Sequence, residues 1–188
     1  IAILTFCFWP VIRGRATLVP TDMLHQLTLP FSGGVTNVHV QNHYTFDVLT
    51  QFYPAYDLFS RCVQNGEWPV WNPYIFGGHP IFASSMYSFA NPFNVIFWLL
   101  PMPAAFHWRT VLQFFAAALF MYWMLRDWKL VPSACLLGAL AYGLNSQFLF
   151  NYWYGGFQTF VWMPLVVLFY DRAVLGQWLQ NCLLAGVF

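Results

Sequence analysis

Leu130-Val-Pro-Ser-Ala-Cys-Leu-Leu-Gly-Ala-Leu-Ala-Tyr-Gly-Leu-Asn-Ser-Gln-Phe-Leu-Phe150 runs on through Asn151-Tyr-Trp-Tyr-Gly-Gly156 to Phe157-Gln-Thr-Phe-Val-Trp-Met-Pro-Leu-Val-Val-Leu-Phe-Tyr170 without one Asp, Glu, Lys or Arg. Wound as helix at about 1.5 Å per residue, this run is roughly 60 Å long, close to two crossings of a bilayer. The polar break 151–156 divides it. The reading is a span at about 131–150 and another at 157–170, closed by Asp171-Arg172.

The whole chain has the same character. It is 60% hydrophobic and only 7% charged, against about 25% charged in an ordinary soluble domain. The expected fold class is therefore an all-α integral membrane protein, a multi-span helical bundle. A net charge of +1 leaves no basic footprint for nucleic acid. Cys7, Cys62, Cys135 and Cys182 show no metal-ligand spacing and read as buried apolar thiols.

Working towards the N-terminus, Arg126-Asp-Trp-Lys129 is a charged turn, and an earlier span reads at 104–125. His107 and Arg109 lie near its start, where an Arg can snorkel to the interface. Residues 93–103, bounded by prolines, suit a short re-entrant or juxtamembrane helix. Residues 1–12 read as the end of a first span, closed by Pro10 and the pair Arg13/Arg15, with no basic leader before them. The last residues begin a fifth span. The expected organisation is 1–12, end of a first transmembrane helix; 13–103, a long structured loop with surface and juxtamembrane helices; and 104–188, spans two to four and the start of a fifth. The expectation is a portion of a longer chain. Arg126, Lys129 and Arg172 on alternate turns place those turns in the cytoplasm and the long loop outside, toward periplasm or cell exterior, in a multi-pass protein. Ala134/Gly138 and Ala139/Gly143 are small-residue pairs that let helices pack closely.

The loop is where polar chemistry can occur. Phe52, Tyr56, Phe59 and Val63 recur at helical spacing, so Phe46–Asn65 reads as an amphipathic helix broken or started at Pro54 and stopped at Asn65-Gly66. Gly66-Glu-Trp-Pro-Val-Trp-Asn-Pro-Tyr-Ile-Phe-Gly-Gly-His-Pro80 follows, with four turn signals and aromatic rings suited to the headgroup region.

Asp47-x3-Gln51-x-Tyr53-Pro54, the Trp71-Asn-Pro-Tyr74 block with Gly77-Gly78, and Asn91-Pro-x-Asn94 together resemble the YfhO family of bacterial polytopic membrane proteins. Met121-Tyr-Trp-Met-Leu-Arg126 and Trp162-Met-Pro-Leu165 extend the likeness. Such proteins are similar to GT-C glycosyltransferases. The resemblance implies the N-terminal part of an enzyme that moves a sugar from a polyprenyl-phosphate carrier to an extracytoplasmic acceptor. It also implies an essential acidic residue in the first outer loop, where Asp22 and Asp47 are the candidates.

Glycosyl transfer from a lipid phosphate needs a base for the acceptor and an offset for the departing phosphate's charge. A carboxylate can be that base or hold a divalent cation, the one cofactor that the chemistry suggests. Asp47 also reads as an N-cap, and Asp57 and Glu67 as solvated or salt-bridged. Arg61 and His79 could bind a phosphate, and Trp71 and Tyr74, with Trp68, could stack on a sugar. The plainer alternatives are the basic face of a surface helix and interfacial anchoring. His25, His39 and His43 read as interfacial histidines. The expected partners are the bilayer, the polyprenyl-phosphate sugar and other membrane subunits. The competing function is a non-catalytic accessory or scaffold subunit of a larger membrane complex, such as an energy-transducing or photosynthetic assembly. A transporter fits less well, because charges within the spans are scarce.

Overall fold

The computed structural model describes residues 2–25, 39–40, 43–176 and 178–187. The chain is mostly helical and divides into two compact units, Ala2–Arg109 and Thr110–Phe188. The division falls inside one helix.

The first unit opens with α1, Ala2–Ile12. Pro10 lies inside this helix and does not close it. A proline deletes one backbone donor, and the ladder resumes with Arg13 N donating to Trp9 O at 3.0 Å. The Arg13 guanidinium covers the Trp9 ring at 4.3 Å.

The amphipathic helix of the loop is present, and Pro54 shapes its start. Pro54 cannot donate to the preceding turn, and Val48–Phe52 winds as a wide π-turn in which Tyr53 N reaches Val48 O. From there α2, Tyr53–Gln64, is regular. Asn65 caps it, and Gly66 follows at φ +79°, a conformation glycine adopts without a Cβ penalty. One face buries Val48, Phe52, Tyr56, Phe59 and Val63. The opposite face carries Asp57 and Arg61, which pair with one another.

An aromatic core forms on the buried face. Phe59 stacks on Phe89 at 4.7 Å and Tyr56 on Phe97 at 5.5 Å. The Tyr56 hydroxyl donates to Tyr87 O at 2.5 Å. Ring stacking beyond simple burial adds about 0.5–1.5 kcal/mol per pair. The helix expected over 93–103 is shorter: a 3-10 turn, Pro92–Val95, capped by the Asn91 side chain, then α3, Ile96–Leu99, which ends where Leu100 turns extended. Asn94, buried, donates to Ser88 O and Phe89 O. Gln64 donates to Phe97 O and Leu100 O, supplying donors to carbonyls at the end of α3.

A two-stranded antiparallel hairpin sits between these helices. β1, Trp71–Asn72, pairs with β2, His79–Pro80, with Trp71 opposite Pro80.

The second unit holds most of α4, Ala104–Asp127, and then α5, Pro132–Gly143, α6, Ser146–Asn151, α7, Gly155–Gln158, α8, Met163–Val174, and α9, Trp178–Val187. By length and composition, one described stretch could cross a bilayer: Pro132–Asn151, 20 residues of mean hydropathy 1.2. Within it the backbone breaks at Leu144–Asn145, where Asn145 turns extended and its side chain accepts from Phe148 N at 3.0 Å. The sequence reading of an unbroken span there misses this cap. The expected span at 157–170 is also subdivided. It comprises the end of α7, a 3-10 turn Thr159–Trp162, and α8, which starts with Pro164 in its first turn.

Both small-residue pairs lie on α5. A Cβ on Gly138 would fall 2.5 Å from Leu125 Cδ1, and one on Gly143 would fall 2.9 Å from Ala118 Cβ. α4 and α5 therefore pack closely at both glycines. Of the four cysteines read as buried thiols, Cys135 is buried with Met124, Leu125, Leu165 and Leu168, Cys62 is half-buried, and Cys7 and Cys182 are exposed.

Candidate functional site

Six residues carried the sequence reading: Asp22, Asp47, Arg61, Trp71, Tyr74 and His79. All lie in the first unit.

Trp71, Tyr74 and His79 all lie in the 71–80 hairpin. Asn72 makes the turn possible, because its Oδ1 accepts from Tyr74 N at 2.9 Å. Gly78, at φ +105°, has no Cβ, and a Cβ there would sit 2.6 Å from the Trp71 indole. The indole thus lies directly against the hairpin backbone. Trp71 and Tyr74 are exposed, at 55% and 75%, so both rings are open to a ligand or a lipid headgroup. His79 is half-buried. Its Nδ1 is enclosed without a hydrogen-bond partner among the described residues, and the Phe76 ring stands edge-on at 6.2 Å. Trp68, also exposed, contacts Phe82 and Trp98 edge-to-face.

Arg61 projects from α2 and pairs with Asp57 one turn earlier. That hydrogen bond and charge hold the guanidinium above its ordinary pKa, and Tyr74 lies near enough to add to the effect. Arg61 is exposed, so the ion pair is worth about 0–1 kcal/mol and an incoming phosphate can compete for it.

The aspartates differ. Asp22 is half-buried in the 3-10 turn Thr21–His25, and its Oδ1 accepts from Met23 N at 3.1 Å. Asp47 precedes the π-turn with helical backbone angles, and its side chain makes no capping hydrogen bond. The N-cap role does not describe it. Its carboxylate is exposed and has no partner among the described residues. No group of three His, Cys, Asp or Glu side chains that could hold a metal ion occurs among the described residues. His39 is exposed; the His25 and His43 side chains, and the glycine-rich segment at 33–34, lie outside the described residues.

Two residues exceed the sequence reading. Arg109 does not snorkel. It is fully buried, with its guanidinium 4.0 Å over the Tyr56 ring and 4.9 Å from that of Phe106, and Phe97 at 5.9 Å. An electron-rich ring face attracts a weakly hydrated guanidinium, which suits Arg to such a cage. Nothing in spacing alone announces it, since the rings come from separate elements. His107 holds the start of α4 to the chain after α1: Leu18 N donates to its Nε2 at 3.2 Å, and Thr17 Oγ1 lies 3.1 Å away.

Neither the curated proteins nor the solved structures contain a match to this chain. The family described as bacterial membrane protein YfhO matches residues 6–177, which include the aromatic hairpin, both aspartates and α4 to α8. With nearly its whole length matched, the chain belongs to the YfhO family of bacterial membrane proteins.

Proposed function

We propose that this chain forms the N-terminal part of a GT-C-like membrane glycosyltransferase, which moves a sugar from a polyprenyl-phosphate donor to an extracytoplasmic acceptor. In this reading the protein is a multi-span bundle in the inner membrane. Residues 1–12 end its first span, residues 13–103 face outward as the loop that meets the substrates, and residues 104–188 supply the following spans. Alternation of basic turns supports that orientation.

The observation that carries the proposal is the exposed Asp47 carboxylate, engaged neither in capping nor in an ion pair among the described residues. Asp47 takes the proton of the acceptor hydroxyl. The freed oxygen attacks the anomeric carbon, the bond from that carbon to the phosphate oxygen breaks, and the polyprenyl phosphate leaves with the electron pair. Asp22 supports the same step from its turn. Arg61, released from Asp57, and His79 offset the charge on the departing phosphate. Trp71 and Tyr74 offer their exposed faces to the sugar ring.

Asp47→Asn and Asp22→Asn in the full-length protein test this, with Glu67→Gln, exposed and outside the proposed step, as the control. A general base contributes about 10²- to 10⁴-fold, so turnover of a polyprenyl-phosphate sugar should fall at least about 10²-fold in Asp47→Asn. Activity within a factor of about two of wild type in both single variants and their double would sink the assignment.

A further inference from the structure

The second unit gathers charge at one end of α4 and α8, where Arg126-Asp-Trp-Lys129 meets Asp171-Arg172. Both carboxylates there are engaged. Asp127 accepts from Arg172 Nη2 at 2.5 Å and Nε at 3.2 Å, and Asp171 accepts from the Trp128 indole N–H at 2.8 Å. Arg126 spends one N–H on Leu130 O at 3.0 Å. Neither Arg126 nor Lys129 has an acidic partner among the described residues. Two exposed cations are left over.

Beside Arg126 opens a cavity of about 710 Å³, within the range of roughly 300–1,000 Å³ typical of small-molecule sites, and Lys129 lines an adjoining pocket that shares Asp127 with it. Its wall is aromatic. Phe120 stacks on Trp162 at 5.4 Å and tilts against Trp123 at 5.9 Å, with Phe169 alongside. Arg126 and the Asp127–Arg172 pair form its polar edge. An inorganic anion would satisfy the edge and leave the wall wet. A neutral apolar molecule would leave the cations unmatched. An anionic amphiphile satisfies both.

We propose that this cavity holds one anionic phospholipid, with its phosphate on Arg126 at the cavity edge, its headgroup reaching past Asp127 toward Lys129 of the adjoining pocket, and its glycerol and first acyl methylenes along the Phe120–Trp162 wall. The site takes no part in sugar transfer. It rests on the multi-span reading only in placing this turn at a bilayer surface. The basic groups repel a quaternary ammonium head, so phosphatidylglycerol is preferred over phosphatidylcholine.

The test uses the full-length protein in nanodiscs of phosphatidylcholine with added phosphatidylglycerol, counting the lipids that stay bound by native mass spectrometry after extraction. Wild type should keep one phosphatidylglycerol per chain. Arg126→Gln with Lys129→Asn should weaken that retention about tenfold, the scale of one charge-assisted contact. Gln keeps a donor for Leu130 O. Asn is at ease at the φ of +60° that Lys129 adopts, so Lys129→Asn alone serves as a second variant certain to leave the turn intact. Equal retention of both lipids, or retention unchanged in the variants, overturns the proposal. Displacement of the lipid by millimolar inorganic phosphate also overturns it and makes the site one for free phosphate. Recovery of the chain with purely neutral discs is scored separately. A chain that fails to insert refutes the span reading, whereas one that inserts without anionic preference refutes only the lipid site.

Discussion

The α4–α5 contact makes a prediction in which the shorter distance is the smaller problem. A Cβ at position 138 would lie 2.5 Å from Leu125 Cδ1, and one at position 143 would lie 2.9 Å from Ala118 Cβ and 3.4 Å from Ala118 backbone atoms. Leu125 Cδ1 is the far end of a flexible side chain and can rotate away. Ala118 has no rotamer to change, so the two helix backbones must separate. Gly→Ala in a helix interior contributes up to about 1 kcal/mol of stability through backbone entropy. Overpacking that moves backbone costs about 1–3 kcal/mol. Gly138→Ala should therefore be neutral or slightly stabilising. Gly143→Ala should destabilise, with a gap between the two of about 1–2 kcal/mol. Reversible unfolding of the full-length protein in detergent micelles reads the difference. The reasoning is refuted if Gly138→Ala is the more damaging of the two, or if Gly143→Ala stabilises.

Two further changes probe the first unit. Tyr56→Phe removes the hydroxyl that donates to Tyr87 O and leaves that carbonyl without it in a buried site; stability should drop by about 1–3 kcal/mol, with the ring stack on Phe97 retained. Unchanged stability would mean that the carbonyl finds another donor. Burial first, and then Glu67, push the Cys62 thiol above its usual pKa, so less thiolate exists at pH 8 than on a free cysteine. Alkylation followed on the Cys62 peptide by mass spectrometry should be slower than that of a model thiol and should rise at higher pH; an equal rate at pH 8 would contradict the assignment.

The sequence made the amphipathic helix legible because Phe52, Tyr56, Phe59 and Val63 recur on one face and Asn65-Gly66 supplies a stop. It made the small-residue packing legible because Gly and Ala at those spacings have few other uses. The π-turn before Pro54 could have been anticipated, since a missing donor disturbs the turn before it. The break at Asn145 was available too, as an Asn followed by Ser inside an apolar run, but hydropathy averages over one polar residue. Arg109 was not legible. Its cage draws Tyr56 from α2, Phe97 from α3 and Phe106 from α4, and only folding brings them to one guanidinium. Asp47 falls between: its place before a helix suggested a cap, and the backbone angles that remove the cap cannot be read from its neighbours. The turns of the 71–80 hairpin were legible in Asn72-Pro73 and Gly77-Gly78, whereas the pairing of Trp71-Asn72 with His79-Pro80 was not.

The central claim is sugar transfer at the outer face, and it can be measured directly. Full-length protein is reconstituted in liposomes with a polyprenyl-phosphate sugar labelled in the sugar and with extracytoplasmic glycan acceptors. The account predicts that label leaves the lipid for an acceptor, that free polyprenyl phosphate appears in equal amount, and that Asp47→Asn stops both. A donor that stays intact with every acceptor tried, in liposomes where the protein is inserted and stable, would contradict it.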